Sequence, residues 1–135
     1  MLKLEKVTGG YANIPVLKDV TFEVADGELV GLIGLNGAGK STTIRIMLGL
    51  LKKSRGIVSL FDKDAWRDSL DIHRSVAYVP GNLTLWENLT GGQTIDLLMK
   101  LHGNGDETKK QELVKKFNLD LSKKVKSYSK GNRQK

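Results

Sequence analysis

Residues 34–41 have the types and the spacing expected of a loop that holds phosphate. They read Gly-Leu-Asn-Gly-Ala-Gly-Lys-Ser, which is the pattern of a P-loop. Glycine lets the backbone take positive φ and approach phosphate oxygens closely, with its N–H groups turned inward. Lys40 adds a positive charge for the β- and γ-phosphates, and the hydroxyl of Ser41 is a ligand for Mg²⁺. The pattern predicts binding of a nucleoside triphosphate, and a surface glycine loop is the alternative.

The flanking residues predict the strand and the helix that a P-loop requires. Residues 29–33 (Leu-Val-Gly-Leu-Ile) are nearly all apolar, which is typical of a strand covered on both faces. After the loop, apolar residues recur at three- and four-residue steps, at Ile44, Met47, Leu48 and Leu51. This spacing predicts a helix with one inward face, whose N-terminus would direct its partial positive charge at the same phosphates.

The rest of the chain changes from strand patterns to helix patterns. Strands are predicted at 2–7, ending at the Gly9-Gly10 pair, at 16–24, followed by a tight hairpin turn at Asp26-Gly27, at 56–61 and at 75–79. Helices are predicted at 92–102 and, with Asp106 as the cap, to about residue 118. We therefore expect a nucleotide-binding core over residues 1–82 and a helical subdomain over residues 83–135.

Composition limits the class of protein. The chain has 135 residues, a net charge of +7 and no cysteine, which excludes disulfides and thiolate metal sites. No apolar run approaches the roughly 18 residues of a membrane span. Residues 106–135 contain ten Lys or Arg and four Asp or Glu. This basic segment fits either a solvated helix face, which its helical spacing favours, or a surface for nucleic acid or an anionic membrane.

In their order along the chain, these segments resemble the ATP-binding subunit of ABC transporters. The resemblance rests on Tyr11, residues 34–43, the run Val76-Ala77-Tyr78-Val79-Pro80 and residues 128–132. The last of these (Tyr-Ser-Lys-Gly-Asn) is similar to that family's signature motif, Leu-Ser-Gly-Gly-Gln. The resemblance implies an α/β fold, namely a P-loop NTPase of the ABC type. Its parts would be an antiparallel β subdomain, a partial parallel core sheet and a helical subdomain.

The resemblance also implies roles for individual residues. Tyr11 would stack on adenine, although a half-buried loop aromatic is the alternative for a single Tyr. The phosphates of ATP would be surrounded by Asn36, Gly37, Ala38, Gly39, Lys40, Ser41 and Thr42, with Ser41 holding Mg²⁺. The ATP of a second subunit would face Ser129, Lys130, Gly131 and Asn132. Taken alone, Ser129 is a helix cap.

The implied partners are a second ATP-binding domain, forming a dimer that sandwiches ATP, and a transmembrane permease subunit. Residues 86–90 lie where the family would contact that permease, and a buried aromatic anchor is an equal alternative for Trp86. The chain itself has no membrane span, so we expect a cytoplasmic protein held at the inner face of the membrane by its partner. Nucleic acid is the less favoured partner.

Two departures from the family pattern bear on catalysis. Gly81 stands where the family has a Gln that touches Mg²⁺ and the attacking water, which leaves Asn82 as the candidate for that role. In the signature, Lys130 and Asn132 replace Gly and Gln. Lys40 would still stabilise the phosphates.

The sequence stops before the family's magnesium-binding Asp, catalytic Glu and γ-phosphate-sensing His. By their order in the chain, His73 and His102 cannot be that His, and we expect ordinary surface or helix-face residues there. The domain is therefore expected to be incomplete at its C-terminus, with residues 130–135 irregular because so short a helix is marginal in water. The interpretations left open are ATP hydrolysis in the complete protein, nucleotide binding without turnover, and a soluble ABC-type protein that acts on nucleic acid or the ribosome.

Overall fold

The computed structural model describes residues 1–12, 14–81, 83–103 and 105–135. The chain forms two compact units, Met1–Ala77 (unit 1) and Tyr78–Lys135 (unit 2). Unit 1 contains, in order, β1 (Leu2–Tyr11), β2 (Ile14–Val24), α1 (Lys40–Met47), β3 (Arg55–Leu60), β4 (Lys63–Asp64) and α2 (Ser69–His73). Unit 2 contains α3 (Gly91–His102), α4 (Glu107–Phe117), a 3₁₀ turn (Val125–Ser127) and α5 (Lys130–Gln134).

The strands of unit 1 form one antiparallel sheet in the order β2-β1-β3-β4. This is the antiparallel β subdomain that the resemblance implies. The tight turn predicted after β2 is present, because Gly27 has φ +76° and the Glu28 N–H donates to the Ala25 carbonyl at 3.2 Å, but it joins no hairpin, since residues 29–33 do not form a strand. The short strand β4 and the helix α2 were not predicted.

The Gly9-Gly10 pair does not end β1, contrary to the prediction. β1 continues through both glycines to Tyr11. A Cβ on Gly9 would lie 2.7 Å from the Ile46 Cδ1 of α1, and one on Gly10 would lie 1.9 Å from the Ile14 carbonyl oxygen. These glycines therefore let a helix and a neighbouring strand approach the backbone closely, which is the other use of glycine inside a strand.

The core of unit 1 lies between the sheet and α1. Leu4 and Val7 of β1 and Val58 of β3 are buried, and Ile46 packs against them from the helix. Ile46 was absent from the predicted apolar stripe, and Thr42 and Thr43 are the other buried residues of α1. The helix ends at Met47 because Gly49 takes a left-handed φ of +65°, so Leu51 of that stripe lies beyond it.

The partial parallel core sheet is not formed among the described residues, which corrects the prediction of strands at 29–33 and 75–79. Both segments are irregular. Leu29 is 99% exposed and Ile33 is 94% exposed, whereas a strand covered on both faces would bury them. A strand is held by backbone hydrogen bonds to a neighbour, and no described residue pairs with either segment. Apolar composition alone does not supply that neighbour.

Side-chain caps start the helices of unit 2. The Thr90 hydroxyl accepts from the Gln93 N–H at 3.2 Å, while the Gln93 side chain accepts from the Thr90 N–H at 2.9 Å. This capping box begins α3. Asp106 accepts from the Lys109 N–H at 2.9 Å and begins α4, as predicted. Among the described residues, none of the helices combines the length with the apolar character that a membrane-spanning helix needs.

Several lysines of the basic segment are held in ion pairs inside unit 2. The Lys110 ammonium lies 2.6 Å from Asp96 and 3.1 Å from Glu107, and so joins α4 to α3. Lys109 pairs with Glu112 one turn along α4 at 2.8 Å. These contacts support the interpretation of α4 as a charged helix face.

Candidate nucleotide-binding site

The loop that leads into α1 has the backbone shape that its glycines allow. Gly37 and Gly39 have φ of +87° and +91°, a left-handed conformation that side chains disfavour. A Cβ on Gly39 would also lie 2.7 Å from the Leu17 Cδ2 of β2. Gly39 is therefore required twice, by its own dihedral angle and by the closeness of β2. A larger residue would strain the backbone at this position and would press against the Leu17 side chain.

Lys40 closes the loop on itself. Its ammonium donates to the carbonyl oxygens of Gly34 at 2.6 Å and Leu35 at 2.7 Å. The Ala38 N–H also donates to the Leu35 carbonyl at 3.1 Å. The first residue of the motif is thus joined to its lysine, which is the second residue from the end, and a full positive charge is fixed beside the loop. Such a charge can form charge-assisted hydrogen bonds with phosphate oxygens.

The start of α1 is arranged to receive an anion. Its N-cap, Gly39, supplies no side-chain acceptor, and the first turn contains no acidic residue. The backbone N–H and the hydroxyl of Thr43 both donate to the Gly39 carbonyl, at 2.8 Å and 3.0 Å, which anchors the first turn. Because the helix N-terminus carries partial positive charge without a side-chain cap, a phosphate there would complement it.

Tyr11 lies at the end of β1 and contacts α1. Its phenol oxygen accepts a hydrogen bond from the Arg45 guanidinium at 2.7 Å, and 42% of the residue is exposed. The hydrogen bond from Arg45 lowers the pKa of the Tyr11 phenol, with a smaller contribution from the Thr42 hydroxyl. The structure therefore brings Tyr11 to the helix that follows the phosphate loop. Stacking on adenine remains a prediction.

Ser41, the predicted magnesium ligand, lies at the start of the helix that follows the phosphate loop. Ser41 is exposed in the first turn of α1, next to Lys40. A free hydroxyl beside a phosphate cradle fits Mg²⁺, which takes few protein ligands and shares phosphate oxygens. The described residues contain no cluster of three His, Cys, Asp or Glu that could hold a metal. Asn82 lies outside the described residues.

The signature-like segment, residues 129–132, begins a helix, whereas an irregular chain end was expected. The Ser129 hydroxyl accepts from the Asn132 N–H at 3.2 Å, and its carbonyl accepts from the Arg133 N–H at 3.0 Å. α5 then runs over Lys130–Gln134, with Lys130 and Gly131 exposed. The side-chain cap supplies the first hydrogen bond that a short helix otherwise lacks. Contact with ATP of a second subunit remains a prediction for these residues.

Tyr128 anchors this segment from the preceding position. It is 7% exposed, and its hydroxyl donates to the Asp120 carbonyl. A Cβ on Gly91 would lie 2.1 Å from the Tyr128 hydroxyl oxygen, so only glycine fits at the start of α3. Burial raises the pKa of the Tyr128 phenol, and the Asp120 carboxylate adds to that shift. Sequence reasoning missed this anchor, because nothing local links residue 128 with residue 91.

Residues 86–90 pair with the chain just before the signature-like segment. The Val125 N–H donates to the Leu89 carbonyl at 2.9 Å, and the Lys126 N–H donates to the Glu87 carbonyl at 3.2 Å. Trp86 is 49% exposed, so it is not a fully buried anchor.

His73, expected to be an ordinary surface or helix-face residue, uses its ring Nε2 to contact the Leu48 carbonyl at 2.6 Å, at the C-cap of α1.

Comparison with known proteins identifies the family that this chain resembles. The family model described as ABC transporter matches residues 17–135. The ABC-type transporter ATP-binding protein EcsA of Bacillus subtilis (strain 168) is 37% identical over 142 residues, covering 100% of this chain and 57% of that protein. The chain spans about half the length of the curated relatives it matches.

Two solved structures share the fold. An ATP binding subunit of an ABC transporter is 37% identical, has a TM-score of 0.84 and is matched over 99% of this chain and 58% of that one. A dimeric ATP-binding cassette bound to ADP and Pi has a TM-score of 0.79 at 24% identity, over 98% of this chain and 65% of that one, which supports the fold alone. Together with the phosphate loop, these matches confirm a P-loop NTPase fold of the ABC type. The chain belongs to the ABC transporter family.

Proposed function

We propose that this chain binds ATP through residues 34–42 and that the complete protein uses ATP hydrolysis to drive an ABC transporter. The observation that carries the proposal is the closed loop, in which Lys40 lies on the Gly34 and Leu35 carbonyls at the uncapped start of α1. Here a fixed cation and a helix N-terminus without a side-chain cap lie side by side, and both attract the negative charge of a triphosphate. Membership of the ABC transporter family supports ATP as the nucleotide.

Mg²⁺ would be held by the Ser41 hydroxyl together with phosphate oxygens of the nucleotide. When bound, the ion neutralises negative charge on the phosphates. The side chain of Ser41 is exposed and available for this contact. Asn36, Gly37 and Gly39 would contribute their backbone N–H groups, while Ala38, whose N–H donates to the Leu35 carbonyl, would hold the loop in the shape that receives phosphate. Asn82 is proposed as the polar residue near the attacking water.

The base and the second subunit define the remaining contacts. Tyr11, half exposed at the end of β1, would stack on adenine. Residues 129–132 would face ATP held by a second ATP-binding domain, with Ser129 at the N-terminus of α5. The dimer of a cassette with the same fold supports this arrangement as a proposal. In the whole protein, residues 86–90 would contact a permease, which would hold the chain at the inner face of the membrane.

Substitution of Lys40 tests nucleotide binding directly. We expect Lys40→Ala to weaken ATP binding about tenfold or more, because it removes a charge-assisted contact with the phosphates. The measurement is isothermal titration calorimetry of the full chain with Mg²⁺ and ATP. Lys3→Ala is the matched control, because the Lys3 ammonium forms a partly exposed surface pair with Glu5. Equal ATP affinities for wild type and Lys40→Ala would reject the proposed site.

Measurement of ATP hydrolysis distinguishes energy coupling from nucleotide binding without turnover. Energy coupling requires that the complete protein hydrolyse ATP above background and lose that activity in Lys40→Ala. Binding without turnover would instead indicate a nucleotide-binding module. A salt-dependent mobility shift with RNA would favour action on nucleic acid, since phosphate contacts by Lys and Arg weaken as salt rises.

A further inference from the structure

The end of β1 contacts α1 at two successive places. At Gly9, the helix side chain of Ile46 lies so close that a Cβ would be 2.7 Å from its Cδ1. Two residues farther along the strand, the Tyr11 phenol oxygen lies 2.7 Å from the Arg45 Nη1. The first contact is apolar and buried, and the second is polar and exposed. The strand end is therefore tied to the helix that follows the phosphate loop.

Arg45 is well placed to hold a partner. It lies in the last turn of α1, three residues after Thr42. Its carbonyl accepts from the N–H groups of Leu50 at 2.8 Å and Leu51 at 3.1 Å, which fixes its backbone where the helix ends. The guanidinium is planar and always charged, so it donates to an oxygen acceptor with a defined direction.

Tyr11, by contrast, stands where the hairpin turns. The next residue, Ala12, has a left-handed φ of +47°, and the ring is half exposed. The hydrogen bond from Arg45 holds the phenol oxygen at the far end of the ring, and the Thr42 hydroxyl makes a weaker contact with the same oxygen. A phenylalanine could present the same aromatic face but could not accept this bond. The hydroxyl of Tyr11 thus has a purpose separate from stacking.

We propose that Arg45 is a positioning residue for the nucleoside, holding the Tyr11 ring in the orientation that receives the base. This inference rests on the proposed function, because it requires that a nucleotide bind at residues 34–42. A ring fixed before binding loses less conformational freedom when the base stacks on it. Arg45 contributes to affinity for the nucleoside part of the ligand and leaves affinity for the phosphates unchanged.

The test compares a ligand that has a base with one that has none. Dissociation constants of ATP and of inorganic tripolyphosphate, both with Mg²⁺ and at 0.15 M salt (on the order of cytoplasmic ionic strength), are measured by calorimetry on the full chain. We expect Arg45→Ala to weaken ATP binding roughly three- to tenfold, the range for one partly exposed hydrogen bond to a charged group, and to leave tripolyphosphate unchanged.

Tyr11→Phe supplies the second variant. It keeps the ring and removes the oxygen that both Arg45 and Thr42 contact, so we expect a loss for ATP at least as large as with Arg45→Ala. Because Arg45 acts through this oxygen, the double variant should bind ATP no more weakly than Tyr11→Phe alone. Arg74→Ala is the matched control, since it removes the same charge from an 82% exposed side chain of unit 1. Far-UV circular dichroism checks that each variant is folded.

Each other outcome overturns the inference in a recognisable way. If Arg45→Ala weakens ATP and tripolyphosphate equally, Arg45 acts as a charge on the phosphates. If Tyr11→Phe binds ATP as wild type does, or if the two losses add, the hydrogen bond does not position the ring. Failure of the proposed function looks different, because wild type would then bind neither ligand or Lys40→Ala would bind both equally well.

Discussion

The phosphate loop of unit 1 and the signature-like segment of unit 2 are supported by different kinds of contact. Residues 34–42 run into α1, which Ile46 packs onto a four-stranded sheet with Leu4, Val7 and Val58 in its core. Ser129 instead begins a five-residue helix that is held by its own hydroxyl and by the adjacent Tyr128. The first region depends on buried apolar area, and the second on a few polar contacts.

This difference predicts how each region responds to change. A loop in which Gly39 approaches β2 closely keeps its shape as long as the sheet and the helix stay packed. A short helix that depends on one cap and one buried hydroxyl has little else to hold it. We therefore expect single substitutions to lower the free energy of unfolding more in the core of unit 1 than around Tyr128, where fewer stabilising contacts can be lost.

The largest expected effect is on the core of unit 1. Leu4→Ala should lower the free energy of unfolding of unit 1 by about 2–5 kcal/mol, because it leaves a cavity among fully buried neighbours. Each unit contains one tryptophan, Trp66 and Trp86, so urea unfolding can be followed separately in Trp86→Phe and Trp66→Phe backgrounds. The Trp66 signal should shift more than the Trp86 signal, since the core around Leu4 consists of residues of unit 1.

The control for this substitution is Leu70→Ala, whose side chain is mostly exposed. It should change the free energy of unfolding by no more than about a few tenths of a kcal/mol, as is usual at the surface. If Leu4→Ala were as mild as Leu70→Ala, the packed core would not be what supports the phosphate loop.

A smaller effect is expected at the anchor of the signature-like segment. Tyr128→Phe should destabilise unit 2 by about 1 kcal/mol, because the Asp120 carbonyl loses its hydroxyl donor while the ring stays buried. Urea unfolding followed by Trp86 in a Trp66→Phe background measures this. Tyr78→Phe, at a half-exposed tyrosine of the same unit, is the matched control and should be near neutral. Equal shifts for the two variants would show that the buried hydroxyl has no special role.

The smallest effect is a pH dependence in unit 1. The Asp64 carboxylate accepts from the backbone N–H groups of Trp66 and Arg67 at 2.9 Å. The Lys53 ammonium lies 3.4 Å from the same carboxylate, and the backbone N–H of Asp64 donates to the Asp68 carboxylate. The hydrogen bond from Arg67 lowers the pKa of the Asp64 carboxyl, followed by that from Trp66 and the charge of Lys53. The unfolded chain therefore binds this proton more readily than the folded one.

The stability due to Asp64 is thus complete above its unfolded pKa of about 3.9 and is lost as pH falls through the lower folded value. We expect wild type to be more stable than Asp64→Asn near neutral pH, with the two converging in acid. The measurement is urea unfolding followed by Trp66 over a pH series. Glu23→Gln, at an exposed carboxylate of β2, is the matched control. A difference between wild type and Asp64→Asn that does not change with pH would contradict the prediction.

Much of the site could be predicted because its signals are local. The phosphate loop, the caps at Asp106 and Ser129 and the turn at Gly27 each depend on a few neighbouring residues, whereas the helix that follows Ser129 was not expected. Each involves a backbone conformation or a hydrogen bond formed within about four positions, so the sequence pattern carries the information.

The errors occurred where the outcome depends on a distant neighbour. The apolar run at 29–33 matched a buried strand, but its residues are exposed because no described strand pairs with it. The Gly9-Gly10 pair matched a turn, but it lies inside β1 where Ile46 and Ile14 come close. A pattern states what a segment can form, and long-range pairing decides whether it forms.

The sequence by itself determined the phosphate loop, its lysine and the order of motifs that marks the ABC transporter family, because these are read from consecutive residues. Only the tertiary structure decided that Arg45 holds Tyr11, 34 positions away, and that Tyr128 fits against Gly91. Such contacts join residues that are far apart in the chain. Their geometry is set by how the strands and helices of each unit pack, and no local spacing encodes it.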